Sequence, residues 1–351
     1  MLMIPDHLHA GIDAQIDASL DAIRRRAGST ELLQALTAAM RSAVSGGKRV
    51  RPHLVVASFL AFGADPDECP HLLPVAGAFE LLHGAFVIHD DLIDHDLTRR
   101  GVPNVAGQFR LRGRARGAEP AGAALLGDAA AILAGDLLLH EATVIIARMP
   151  EDSIRERLLD VLSHAVLVSA GGELADVENA VLPEIGSAQD LLTTAHDKTA
   201  VYSFTAPLIA GAVLAGASSA ETRELERLGG KLGLAFQLVD DLIGAFGTEQ
   251  QAGKDAGSDL RETKRTPLIA MARESSSWPQ VTTALALAPT GPIAVRSAQK
   301  ALEHSGARLR MQQLVQERLH DVRAGAEDAS LPGAAVGLIR RLADLIERRM
   351  P

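Results

Sequence analysis

Apolar residues recur at intervals of three and four along most of the chain, the spacing that gathers them on one face of an α-helix. Segments 8–28, 31–45, 50–63, 70–100, 120–148, 152–180, 188–216, 219–250, 265–275, 292–303, 306–325 and 332–349 follow this period, are rich in Ala and Leu, and hold little internal proline. The alternation expected of a half-buried strand is nowhere convincing. Gly and Pro cluster between the segments, at Gly46-Gly47, Gly63 to Pro66, Gly101 to Pro103, Gly113 to Pro120, Gly253 to Gly257, Pro289 to Pro292 and Pro332-Gly333. None of these breaks resembles a long flexible linker, and no fixed-period repeat appears. The pattern predicts an all-α fold, with residues 1–351 forming a single helical domain.

Composition narrows the function classes. Hydrophobic residues make up 47% of the 351, enough for a large core, and aromatics only 3%, which suits closely packed helices. The 35 basic and 44 acidic side chains leave a net charge of −9, which argues against a nucleic-acid binder. The arginine-rich stretch Phe109 to Arg114 accordingly reads as a solvated loop, not an RNA patch. Cys69 is the single cysteine, so internal disulfides and cysteine-rich zinc modules are excluded and a reducing compartment is expected. The first residues lack a basic n-region and an unbroken apolar run, and the expected location is cytoplasmic. Val201 to Ala220 is the most membrane-like stretch. Pro207 and several hydroxyls make a buried helix the better reading, with no transmembrane segment expected.

Two acidic clusters each end an apolar helical run. The first, ELLHGAFVIHDDLIDHD, carries Asp90, Asp91 and Asp94; Asp90 and Asp94 are four apart and share a helix face, with Asp91 about 100° round. Like charges at this spacing repel, so the arrangement destabilises a helix unless a cation compensates. Mg²⁺ is a natural candidate, because it takes one or two carboxylates and completes its shell with water and phosphate. The second cluster, KLGLAFQLVDDLIGAFG, carries Asp240 and Asp241, with Gly244 at the next helical position. Two such clusters suggest metal ions held between opposed carboxylates.

Cations stand where an anionic substrate would need them. Gly46-Gly47-Lys48-Arg49-Val50-Arg51 forms a glycine loop with three cations leading into a helix, a candidate phosphate cradle. Arg99 and Arg100 lie beyond the first cluster, Lys198 and Thr199 head the most apolar helix, and Lys254 and Lys264 follow the second cluster. His83 lies one or two turns before Asp90 as a candidate phosphate donor. His89, beside Asp90, reads as a local packing residue, and Gln237, three before Asp240, as either a substrate-orienting group or a helix neighbour.

Taken together, GGKRVRP, HDDLIDHDLTRRG, DKTAVYSF, FQLVDDL and GKDAGSDLRETKRT occur in the order found in the trans-isoprenyl diphosphate synthases, or polyprenyl synthetases. The resemblance covers about residues 40–325 and looks strongest to actinobacterial geranylgeranyl diphosphate synthases, which share the glycine of the second motif. It implies a helical fold around a large central cavity, a homodimer, and Mg²⁺-dependent condensation of isopentenyl diphosphate with an allylic diphosphate. It further implies that Asp90 and Asp94 bind two Mg²⁺ with Asp91 supporting, that Asp240, followed by Asp241, binds a third, and that Lys198, Lys254 and Arg99 hold the allylic diphosphate. Lys48, Arg51, His83 and Arg100 would hold isopentenyl diphosphate, Thr199 and Gln237 would line the reacting centre, and Lys264 would help close the site. Gly244 is the departure, since many relatives carry a third Asp there. Ala85 and Phe86, five and four residues before Asp90, are the expected chain-length residues, with Phe86 as the floor for a C20 product and C15 as the alternative.

Other readings fit less well. A class I terpene cyclase would need a hydroxyl between its second-site acids, and the series from Asp241 runs Asp241, Ala245, Glu249. A catalytically silent partner subunit would be expected to have lost carboxylates or diphosphate-binding cations that remain here.

Overall fold

Apolar stripes and local caps turn most of the predicted segments into helices in the computed structural model, which describes residues 4–252, 256–328 and 330–351. The chain divides into two compact units, Met1–Leu162 with Ala210–Gly216, and Ser163–Ile209 with Ala217–Pro351.

The first unit carries α1 (Asp6–Arg26), α2 (Glu31–Val44), α3 (Val50–Ala61) and α4 (Leu72–Ile93). After α4 come the short antiparallel strands β1 (Thr98–Arg99) and β2 (Val102–Pro103), then α5 (Val105–Ala115) and α6 (Pro120–Ala147). The buried side of α4 runs from Leu72 and Val75 through Phe79, Leu82 and Ala85 to Ile88. Small residues let its neighbours close on it: a Cβ at Gly84 would lie 2.7 Å from Val44 of α2 and 3.3 Å from Leu138 of α6.

Arg49 locks the start of α3. It adopts φ 50° at the N-cap, and its buried guanidinium donates to Asp13 at 2.9 Å, to the Val44 carbonyl at 2.7 Å and to Glu80 of α4 at 2.9 Å. Burial works to lower its pKa, but the pairs with Glu80 and Asp13 outweigh burial and hold it above the ordinary value. Arg49→Ala would strand the Glu80 carboxylate in the interior, and is expected to cost about 3–5 kcal/mol of stability. Urea unfolding measures this; a loss below about 1 kcal/mol would contradict the structural role assigned to Arg49.

The second unit begins within α7 (Asp152–Val181) and continues through α8 (Ala188–Ala195), a π-helix (His196–Thr205) and the first turn of α9 (Ala206–Leu214). It then runs through α10 (Ser219–Phe246), the short α11 (Glu249–Ala252) and α12 (Ser258–Arg261), and α13 (Pro267–Arg273) to α14 (Trp278–Leu287), α15 (Pro292–His304), α16 (Ala307–Asp328) and α17 (Gly333–Glu347). Capping boxes, Ser187 with Asp190 and Ser218 with Glu221, start α8 and α10. The π-helix lies close on α10, where a Cβ at Gly233 would sit 2.6 Å from the Ala200 Cα and one at Gly229 3.0 Å from the Thr205 Cα.

Four expectations are corrected. The helix predicted over 70–100 ends at Ile93: His95 turns left-handed at φ 59°, and Arg99 and Arg100 belong to the β1–β2 hairpin. The stretch 109–114, read as a solvated loop, lies in α5. The Asn104 side chain accepts from the Gly107 N–H, Phe109 is buried, Arg110 pairs with Asp128 at 2.9 Å, and Arg112 pairs with Glu31 at 2.7 Å. Helix α14 was not anticipated. Finally, Val201–Ala220 runs from the π-helix straight into α9 and is largely buried, but it is not the most membrane-like stretch: α4, α6 and α7 are each long and apolar enough, by length and composition alone, to cross a membrane.

Candidate active site

In the first unit, the glycine loop, the middle of α4 (Glu80 to Val87) and the hairpin line a cavity of about 490 Å³. Lys48, Arg51, His83, Arg99 and Arg100 all reach its walls, so the four residues expected to hold isopentenyl diphosphate line one cavity. Positive φ at Gly46 (74°) and Gly47 (92°) turns the loop, and Arg100 lies across it. Its guanidinium would be 3.3 and 3.2 Å from a Cβ at these two positions, and it donates to the Ser45 carbonyl at 3.2 Å. His83 stands half-buried among cations. Burial, then Arg51, Arg99, Arg100 and Arg49, hold its pKa well below the usual histidine value, so it is a neutral imidazole at pH 7.

The first acidic cluster sits at the end of α4. Asp94 is the C-cap, and its N–H donates to the Asp90 carbonyl at 2.8 Å. Arg99 donates to Asp91 at 2.8 Å and lies 3.7 Å from Asp90. Burial raises the pKa of Asp91, while Arg99 pulls the other way. Ala85 is fully buried and Phe86 half-buried one turn before these carboxylates. His89, read as a local packing residue, instead reaches α6, where its ring occupies the space left by Gly135 and its Nε2 lies 3.6 Å from Asp136.

In the second unit, Asp240 and Asp241 lie near the end of α10. Gln237 donates to Asp241 at 2.8 Å. Burial pushes Asp241 up to about 8, and the nearby carboxylates of Asp259, Asp240 and Asp176 add to the shift. Lys198 and Thr199 stand on the π-helix, a widened turn of the kind often found at functional sites. Gly172 of α7 admits this turn, since a Cβ there would be 2.2 Å from the Lys198 nitrogen. Lys198 donates to Asp176 at 2.8 Å and to Glu173 at 3.2 Å. Lys264 is exposed and pairs with Glu262 at 3.4 Å. Lys254 lies outside the described residues.

These donor sets suit Mg²⁺. They are hard carboxylate oxygens, and Asp241, raised first by burial and then by neighbouring acids, would be drawn to its ionised, ligating form by a cation placed beside it. Among the described residues no three His, Cys, Asp or Glu side chains are grouped so as to hold a metal ion by themselves.

Sequence reasoning missed several participants. Glu173 and Asp176 stand one turn apart on α7, a spacing visible in the chain but not in any of the motifs considered. Asp259 fills the space beside Gly244: a Cβ at Gly244 would fall 1.8 Å from its Oδ2. Arg349 donates to Asp240. Arg49, grouped with the substrate cations, serves the fold instead.

Known proteins bear on the assignment. The sequence model of the family described as polyprenyl synthetase matches residues 33–304. A geranylgeranyl diphosphate synthase of Mycobacterium tuberculosis is 33% identical over 293 residues, covering 84% of this chain and 77% of that protein. A short chain isoprenyl diphosphate synthase of Methanocaldococcus jannaschii is 32% identical over 226 residues, covering 64% of this chain; the match spans 62% of that relative's length. The crystal structure of geranylgeranyl pyrophosphate synthase from Corynebacterium glutamicum, complexed with isoprenyl diphosphate and magnesium, superposes with a TM-score of 0.89 at 29% identity, covering 99% of this chain and all of that one. This chain belongs to the polyprenyl synthetase family.

Proposed function

We propose that the protein is a Mg²⁺-dependent short-chain trans-prenyltransferase that condenses isopentenyl diphosphate with allylic diphosphates, ending at geranylgeranyl diphosphate. The observation that carries this reading is the cavity of the first unit, where Lys48, Arg51, Arg100 and neutral His83 gather with Arg99, which pairs with Asp91 and lies 3.7 Å from Asp90. Such a set recognises a diphosphate: three cations meet its charge, and an uncharged imidazole donates a hydrogen bond without adding to their mutual repulsion.

Asp90 and Asp94 would hold two magnesium ions and Asp240 a third. Bound there, the metal supplies positive charge that offsets the negative charge developing on the departing diphosphate. The resemblance gives Arg99, Lys198 and Lys254 to the allylic diphosphate, whose leaving would be stabilised by cationic side chains and not by water. Thr199 and Gln237 border the reacting carbons. Exclusion of water would protect the allylic cation until the isopentenyl double bond attacks, and Lys264 would help to close the site. The final proton passes to an oxygen of the released diphosphate, so no side-chain general base is required. The enzyme acts in the cytoplasm as a homodimer without a membrane-spanning helix. The exposed Leu125 and Leu133 of α6 support burial against a second copy.

The test is incubation with Mg²⁺, isopentenyl diphosphate and each of the C5, C10 and C15 allylic diphosphates, followed by chromatography of the dephosphorylated alcohols. C20 alcohol is expected from all three. Hydrocarbon formed from geranylgeranyl diphosphate alone would point to a cyclase, and no condensation would overturn the reading. Phe86→Ala is expected to lengthen the product beyond C20 in the same assay, because the floor beside Ala85 is removed. An unchanged product would show that the tail ends elsewhere.

A further inference from the structure

Asp240 is the carboxylate that the proposed function gives to the third magnesium, and in this structure an arginine holds it. Arg349 donates to Asp240 Oδ1 at 2.5 Å. Its guanidinium carbon also lies 4.3 Å from the centroid of the Phe236 ring. Phe236 and Asp240 are four apart on α10, so ring and carboxylate present one continuous face to the arginine. The ring is itself fixed, packed against Phe204 of the π-helix with centroids 5.1 Å apart.

The turn that carries Arg349 is braced on both sides. Arg323 of α16 donates to Asp344 at 2.7 Å and to Glu347 at 2.5 Å, holding the last turn of α17. Beyond Arg349, Arg308 and Gln312 of α16 donate to the Pro351 main-chain oxygen at 3.3 and 3.1 Å. Arg308 is seated in turn over the Phe246 ring, 4.5 Å from its centroid. The guanidinium is thus delivered to Asp240 by a fixed segment, and the pair is two-thirds withdrawn from solvent, with side-chain exposures of 33% and 37%. A guanidinium and a divalent cation seek the same carboxylate lone pairs and repel each other, so occupancy by one weakens the other.

We propose that Arg349 is a counter-ion latch that competes with the divalent metal for Asp240 and so sets the metal concentration at which the second acidic site fills. The latch rests on the reading of Asp240 as a metal ligand. When the metal arrives, Arg349 gives up the carboxylate but keeps the Phe236 face, so the displaced charge stays beside the site. It is a positioning residue, acting on the reaction through Asp240.

The experiment titrates Mn²⁺, with inorganic diphosphate present, into the full-length wild type, R349Q, D240N and R349Q/D240N, reading free Mn²⁺ by electron paramagnetic resonance. R349Q is expected to tighten the site that depends on Asp240 by about three- to fivefold, the effect of removing an ion pair about one-third exposed. D240N is expected to lose that site, and the double variant to bind as D240N does. Unchanged or weaker binding in R349Q, while D240N loses a site, overturns the latch. Tightening that persists in the double variant also overturns it, because Arg349 would then act elsewhere. If D240N keeps every site, the metal role of Asp240 fails and the latch with it, so the two failures read differently.

Discussion

Asp90→Asn is expected to leave the protein folded and to reduce condensation turnover by about a thousandfold or more. The substitution keeps shape and removes one unit of charge. Asp90 is half-buried near the end of α4 and 3.7 Å from Arg99, whose shorter contact is with Asp91, so the fold does not depend on its charge. In the proposed reaction that charge is needed: it helps to hold the metal against a diphosphate that gains negative charge as the allylic C–O bond breaks. Removing a single neutral oxyanion donor from an active site costs about a hundred- to a thousandfold, and a metal-binding carboxylate should cost at least the upper end of that range. Thermal unfolding and steady-state turnover together check this. A variant that melts like the wild type and keeps a tenth of its activity would end the assignment of α4 to metal binding.

Gly244→Asp, which would restore the third acid carried by many relatives, is expected to damage this protein. The new Cβ would fall 1.8 Å from Asp259 Oδ2, inside any permitted contact. Asp259 would have to leave, or α10 would have to shift. The added carboxylate would also enter a region where Asp241 is already pushed up to about 8 by burial and by three neighbouring acids. A steric clash combined with another poorly solvated charge should cost about 3–5 kcal/mol. Gly244→Ala separates the causes, since it keeps the clash and adds no charge. Asp259→Ala placed on top of Gly244→Ala should recover most of the lost stability. Calorimetric melting of these variants decides the matter, and a Gly244→Asp protein as stable as the wild type would show that Asp259 does not own this space.

The helical architecture could be read in the chain because long amphipathic segments bury apolar stripes, and a period of 3.6 survives whatever the helices pack against. The cationic loop and both aspartate pairs were legible for a related reason: their chemistry needs particular residue types at short spacings. Where reading failed, the deciding interaction joined residues distant in sequence. Arg349 reaches Asp240 across 109 positions, and no local pattern announces it. Arg49 resembles its neighbours Lys48 and Arg51 in every respect except the burial that Asp13 and Glu80 impose on it. Gly244 looked like a missing ligand and is a vacancy filled by Asp259. The end of α4 was overestimated because the polar run after Ile93 keeps helical spacing, while the left-handed His95 and the hairpin depend on contacts such as Asn104 with the Asp96 carbonyl at 2.8 Å.

The seat that Gly46 and Gly47 offer to Arg100 has a thermodynamic corollary. While the guanidinium rests there, two of the most conformationally permissive residues in the chain are covered and quiet. Were Arg100 to turn toward a ligand's oxygens, that stretch of bare backbone would be uncovered and regain freedom as the incoming molecule loses its own. Part of the entropy lost in capture would thereby be offset within the same wall of the pocket, which would strengthen binding.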